Sequence, residues 1–298
     1  MRVVSLLPST TEILFAVGAG EHVVGVTVEC DYPPEARTRT IVSTPLRPDG
    51  LSPQEIDRYV RDRLAAGEDL YHLDEGALRQ LDPDVVLTQD LCAVCAVDVS
   101  NVDQALTHLG CTAEVITIDP GTLDEVLASI DTIGAATHRA ETATRLVASL
   151  RERLDAVRSA VAGLPRPRVA VVEWTDPPFT AGHWIPDMVT AAGGIPVLGK
   201  AGERSAATTW PEVAGSGCDL VVVAPCGYGL DGAAGLAADV VAAGVLPDRL
   251  PVWAVDADAA FVRPGPRLVD GVETLAGICH PGAVPPRLEM AALVETRS

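Results

Sequence analysis

Short apolar runs rich in β-branched residues recur along the chain, and stretches with helical spacing separate them. In the first half the runs are "RVVSLL" from Arg2, "VVGVT" from Val23, "DVVLTQ" from Asp84 and "EVITID" from Glu114. In the second half they are "RVAVVEW" from Arg168, "DLVVVAP" from Asp219 and "PVWAVDA" from Pro251. Alternation of such runs with helical segments predicts βα units and mostly parallel sheets. The runs form two groups, and the stretch from Leu123 to Gly163 between them has no strand character.

Within that stretch Leu146, Leu150, Leu154, Val157 and Val161 recur at steps of three and four, the spacing of one helix face. Arg, Glu and Asp fill the other face, and Gly163 with Pro165 ends the run. The pattern predicts an α/β chain of two Rossmann-like lobes with mostly parallel sheets, joined by one long connector helix. The expected boundaries are an N-terminal lobe over residues 1–135, a connector over 136–163 and a C-terminal lobe over 164–298. A helical connector is stiff, so slight rocking of the lobes is expected rather than wide opening.

Composition narrows the partners. With 48% hydrophobic and 21% charged residues in 298, the chain has enough apolar surface for a large core. The net charge of −19, from 41 acidic and 22 basic residues, excludes a nucleic-acid or anionic-membrane surface, which needs clustered Lys and Arg. No stretch of about 20 apolar residues predicts membrane insertion. Pro8, Ser9, Thr10, Thr11 and Glu12 interrupt the pattern of a secretory signal, so the expected location is cytoplasmic, or periplasmic or extracellular if a leader has been removed. The 7 cysteines, an odd number, fit reduced thiols better than a disulfide framework.

The candidate chemistry lies in loops at the ends of predicted strands, where α/β proteins keep their binding groups. Cys92 and Cys95 stand at C-x-x-C spacing in "TQDLCAVCAV", Cys30 in "VECDYPP" and Cys226 in "APCGYG". Three roles remain open for these thiols: small buried hydrophobes, ligands to a metal or cobalt centre, or a redox or nucleophilic group. Cys111, Cys218 and Cys279 are expected in cores. His183 in "AGHWIP", beside Trp184 and near Glu173 and Asp176, is a candidate metal ligand or a loop-stabilising hydrogen-bond donor. Arg263 and Arg267 flank a Pro-Gly-Pro turn, from which guanidinium groups can bind carboxylate, carboxamide or phosphate. No nucleophile elbow, Walker loop, H-E-x-x-H helix or dinucleotide fingerprint is present.

The segments "RVVSLLPSTTEILFAVGAGEHVVGVTVECDYPPEA", "LDPDVVLTQDLCAVCAV", "VVEWTDPPFTAGHWIPDMVTAAGG" and "RPGPRLVDGVETLA" together resemble cobalamin-binding proteins of the class III periplasmic binding protein group, the receptors of metal-chelate ABC importers. The resemblance implies two lobes with a corrinoid, or a related metal chelate, held in the cleft between them. Such plates need aromatic faces and a few polar rim groups. The chain has 3 Phe, 4 Trp and 4 Tyr, and the expected ligand-binding set is Tyr32, Trp174, Phe179, His183, Trp184, Trp210, Tyr228, Phe261 and Arg263.

If the strands order as in that group, Cys30, Cys92 and Cys95 border the cleft opposite His183 and Cys226, a donor set suited to zinc, iron or cobalt. The resemblance also implies an ABC permease partner, met by one acidic side chain from each lobe. Gly76 stands where the first lobe often carries Glu, with Asp74 and Glu75 beside it, while Glu212 remains in the second lobe. The altered docking position and the absent export signal lead to the expectation of a cytoplasmic chelate carrier. The alternatives are a thiol-dependent enzyme that reduces or dealkylates a bound chelate, and a zinc- or haem-binding protein.

Overall fold

A computed structural model describes residues 1–89 and 112–294. The chain forms two units, Met1–Pro120 with Leu127–Val147, and Gly121–Val126 with Ala148–Ser298.

The described strands of the first unit are β1 (Val3–Ser5), β2 (Val23–Thr27), β3 (Thr40–Pro45), β4 (Tyr71–Leu73), β5 (Val85–Thr88) and β6 (Glu114–Thr117). They form one sheet in the order β4-β3-β2-β1-β5-β6, parallel except for the antiparallel β3–β4 edge. Helix α1 (Pro8–Ala16) starts with Pro8, whose fixed φ suits the first helical turn. Helix α2 (Pro53–Ala66) has Ser52 and Glu55 as a capping box and ends on Gly67, while Asp74 caps α3 (Glu75–Leu81). Val4, Leu6, Val42, Leu78 and Val86 form a fully enclosed cluster between the sheet and α3. Each such side chain contributes about 1.5–3 kcal/mol by leaving water.

The connecting stretch is two helices, α4 (Leu123–Ala136) and α5 (Ala140–Val161), with His138 at φ 57 between them. In α5 the buried stripe is Ala143, Val147, Leu150, Leu154, Val157 and Val161. Val147 replaces the expected Leu146, which is half-buried. Both helices pass from one unit to the other.

In the second unit β7 (Arg168–Thr175), β8 (Pro178–Thr180), β9 (Ile195–Pro196), β10 (Ala206–Ala207), β11 (Leu220–Val223), β12 (Val252–Val255) and β13 (Ala291–Val294) form one sheet. Its order is β10-β8-β7-β11-β12-β13, with β9 paired to β7. The centre is parallel, and β8, β10 and β13 add antiparallel edges. Helices α6 (Ile185–Ala191), α7 (Trp210–Gly215), α8 (Leu230–Ala243), α9 (Ala257–Ala260) and α10 (Leu268–Cys279) complete the unit. Val172, Val221, Val223, Ala233, Ala237 and Val252 are enclosed between the sheet and α8. Helices α6 and α10 pack together. A Cβ on Gly271 would lie 2.6 Å from Met188 Cε, so the absent side chain permits that approach.

The architecture is therefore the expected two-lobed α/β fold with mostly parallel sheets.

Candidate functional site

The carboxyl ends of β7 and β11 carry a compact group of candidates in the second unit. Strand β7 continues through Trp174, which pairs in register with Phe179 of β8. Beyond β11 the chain turns at Pro225–Gly227, with Cys226 N donating to Glu173 O at 3.2 Å and Tyr228 N to Pro225 O at 3.2 Å. Asp258 N donates to Tyr228 O at 3.2 Å, tying the same loop to α9. These bonds bring the rings of Trp174 and Tyr228 to a centroid separation of 5.9 Å with planes inclined by 60°. Both residues are half-buried, so each ring keeps accessible area. A tilted pair of this kind offers an apolar face with polar tips, the chemistry that a flat, partly apolar ligand requires.

Polar groups border the pair. Ser205 Oγ donates to Glu173 Oε2, next in sequence to Trp174. Arg263 forks onto Asp258, at 3.1 Å from Nε and 2.5 Å from Nη2, and its side chain is only 11% exposed. The expected rim arginine is thus engaged by a carboxylate of its own loop. Cys226 is exposed.

His183 occupies the turn between β8 and α6 with φ 52, a left-handed backbone that few non-glycine residues adopt. Its amide donates to Glu203 O at 2.6 Å, and its carbonyl accepts from Gly202 N at 3.0 Å. Burial, and then the Arg204 guanidinium, hold the imidazole pKa below its ordinary value of 6.5. Nε2 is enclosed and has no hydrogen-bond partner among the described residues. The imidazole is therefore favoured as the neutral form.

The other expected residues are placed differently. Trp184 is 6% exposed and donates from Nε1 to Phe261 O at 2.7 Å, and Phe261 is fully enclosed. These two hold the loop from inside and present no ring face to a ligand in this state. Trp210 begins α7 and packs against the sheet core. Tyr32 is 45% exposed, in the first unit. Cys30, in the same unit, is 1% exposed and lies 3.0 Å from Thr11 Oγ1, within a buried chain of hydroxyls that includes Ser5 and Thr10. That environment is one of a packed thiol rather than an open ligand position. Cys92, Cys95 and Cys111 lie outside the described residues. Among the described residues, no three His, Cys, Asp or Glu side chains gather as a metal site. Cys218 and Cys279 are half-buried, and burial pushes the Cys279 thiol up to about 12.

Two polar residues at this edge escape the sequence reading. Arg204 and Ser205 sit in "GKAGERSA", which carries neither a motif nor an apolar pattern. Only the antiparallel pairing of β8 with β10 brings them beside His183 and Glu173. No helix among the described residues is long and apolar enough to cross a membrane.

Comparison with known proteins adds the family. The family described as periplasmic binding protein matches residues 3–224. A vitamin B12-binding protein of Photorhabdus laumondii is 49% identical over 37 residues, 12% of this chain and 14% of that protein. An uncharacterized ABC transporter substrate-binding lipoprotein of Bacillus subtilis is 28% identical over 158 residues, 53% of this chain and 40% of its own. The matched region therefore spans well under half of either relative's length. Among solved structures, a periplasmic haem-binding protein of Pseudomonas aeruginosa superposes with a TM-score of 0.72 at 19% identity, covering 100% of this chain and 99% of the other. The periplasmic vitamin B12-binding protein of Vibrio cholerae gives 0.62 at 21% identity, covering 92% and 94%. At these identities the structural likeness establishes the fold. With residues 3–224, most of its length, inside the family match, the chain belongs to the periplasmic binding protein family.

Proposed function

We propose that this protein binds a corrinoid, or a related tetrapyrrole-type metal chelate, as the substrate-binding component of an ABC importer. The observation that carries the reading is the Trp174–Tyr228 pair, held by backbone bonds at the carboxyl ends of adjacent parallel strands. An aromatic face at that end of an α/β sheet suits a broad, partly apolar plate. The names of the relatives support the ligand class, since they include vitamin B12-binding and haem-binding proteins. The local identity to a vitamin B12-binding protein favours the corrinoid within that class.

The metal of such a chelate travels as cargo. In this reading Phe179, paired in register with Trp174, adds contact area, while Cys226 is the one thiol among the described residues that is exposed enough to touch a ligand. The importer role calls for a location outside the cytoplasmic membrane, in place of the cytoplasmic carriage expected from the N-terminal residues. Glu212 and Glu75 are the carboxylates that we assign to permease docking, because both are exposed in the first turn of a helix. Asp74 accepts from Ala77 N at 2.9 Å and Glu212 from Thr209 N at 2.9 Å, so each carboxylate also caps the helix it stands on. Equilibrium titration with cobalamin, cobinamide, haem and a ferric siderophore tests the ligand class. Saturable binding of a tetrapyrrole-type chelate is expected, and binding of the siderophore alone contradicts the proposal.

A further inference from the structure

The turn beside His183 holds an exposed cation, Arg204. Strands β8 and β10 pair antiparallel, Thr180 with Ala206 and Phe179 with Ala207, so the residues just before β10 run back along those just after β8. Gly182 is what lets these backbones lie flush. A Cβ there would fall 2.5 Å from Glu203 O and 2.6 Å from the Arg204 carbonyl carbon. On one side of Arg204, Glu203 O accepts from His183 N at 2.6 Å. On the other side, Ser205 Oγ is bonded to Glu173, the neighbour of Trp174. Arg204 thus projects from a strap pinned on both flanks, which leads into β10 on the same sheet edge where β8 pairs with Trp174 of β7.

The surrounding charges are otherwise engaged. Glu203 pairs with Lys200 at 3.4 Å, Glu173 accepts from Ser205, and Arg263 is bound to Asp258. Arg204 is exposed and makes no ion pair or side-chain hydrogen bond among the described residues. After burial, its charge helps to hold the His183 imidazole pKa down. A chain with a net charge of −19 repels anions, so an anionic group on a ligand needs a local cation to be accepted. A guanidinium meets carboxylate or phosphate through two parallel bonds.

We infer that Arg204 is a specificity-determining residue that binds an oxyanion on the rim of the chelate. This rests on the proposed function and narrows it to chelates that carry such a group. The shared chemistry has two sources, the carboxylates of a haem-type ligand and the phosphodiester of a nucleotide-bearing corrinoid.

Two ligand pairs separate the sources: haem against its dimethyl ester, and cobalamin against cobinamide, which lacks the phosphodiester. Each is titrated into the native chain, Arg204→Gln and Arg204→Lys, after thermal melts confirm that the variants fold. In at least one pair the native chain is expected to favour the oxyanion-bearing member. Arg204→Gln then lowers affinity for that member about tenfold or more, leaves its counterpart unchanged, and Arg204→Lys recovers part of the loss. The inference is overturned if Arg204→Gln weakens neither member, or both members equally, or if the native chain shows no preference within either pair. If the native chain binds none of the four ligands, the proposed function fails, and this inference fails with it.

Discussion

The ring of Trp174, on strand β7, and that of Tyr228, in the loop after β11, meet at 5.9 Å, because Cys226 N is bonded to Glu173 O and Asp258 N to Tyr228 O. The pair is therefore set by backbone bonds from β7 and α9 before any ligand arrives. A preformed apolar face binds without the cost of ordering its side chains. Replacing either ring by Ala is expected to weaken chelate binding by about 1–3 kcal/mol, roughly 5- to 150-fold, with little change in melting temperature. An unchanged Kd in both single variants would show that the ligand lies elsewhere.

Trp184 and Phe261 predict a stability effect in place of a binding effect. Trp184→Phe keeps most of the buried ring but leaves Phe261 O without its 2.7 Å donor. A buried carbonyl left unpaired costs about 1–3 kcal/mol. Urea denaturation should show that loss.

The last turns of α5 are joined to α10 by a charge network. Arg153 donates to Glu273 at 2.8 Å and 2.7 Å and to Asp270 at 2.6 Å, and Arg287 reaches the same two carboxylates at 3.1 Å and 2.9 Å. The bonded carboxylates raise the pKa of both arginines, so the pairs stay charged throughout the working range. Arg153 is 37% exposed and the carboxylates 23% and 25%, which places the network between a surface pair and a buried one. Arg153→Ala is expected to cost about 1–2 kcal/mol, less in high salt. The control Arg145→Ala removes a pair at 3.7 Å between side chains 70% and 88% exposed, and should stay within about 0.5 kcal/mol. Equal losses in the two variants would refute this ranking.

His183 sets a pH dependence. Its folded pKa lies below the unfolded value of 6.5, so between those two values the unfolded chain binds more protons. The contribution is complete above pH 6.5 and is lost as pH falls through 6.5 toward the folded pKa. Asn tolerates the left-handed φ of 52 at this position. His183→Asn should therefore flatten the fall in melting temperature between pH 7 and 5 relative to the native chain. A slope identical to the native one would contradict the half-buried, neutral imidazole.

Thiol accessibility divides the described cysteines. Cys226 is exposed, Cys30 is 1% exposed, and the Cys279 thiol is pushed up to about 12 by burial. Since the thiolate is the reactive species, Cys226→Ser should remove one fast-reacting equivalent from a maleimide time course, whereas Cys30→Ser and Cys279→Ser remove none until denaturant is added.

The legible part of the fold was the part written in long apolar runs. Strands β1, β2, β5, β7, β11 and β12 fall within runs visible in the sequence because central parallel strands are buried on both faces, and the edge strand β6 falls within "EVITID" by its β-branched residues alone. Strands β3, β4, β8, β9, β10 and β13 were missed. Most are short edge strands with exposed or half-buried residues, such as Ala206 and Ala207, and their existence depends on a neighbour rather than on their own pattern. The same distinction governs the site. Trp174 and Tyr228 could be named because they follow apolar runs, and the buried placement of Phe261 could not, because position after a strand does not tell which way a ring turns. Arg204 has no signal at all until β8 and β10 pair.

On the proposed function, Trp174 and Tyr228 form the face on which a tetrapyrrole-type chelate binds. Isothermal titration of cobalamin and of haem into the native chain and into the Trp174→Ala, Tyr228→Ala double variant tests it directly. Saturable binding of at least one chelate to the native chain, weakened at least about 100-fold in a double variant that still melts cooperatively, is the predicted result. Binding of equal strength in both proteins, or no binding of either chelate to the native chain, would contradict it.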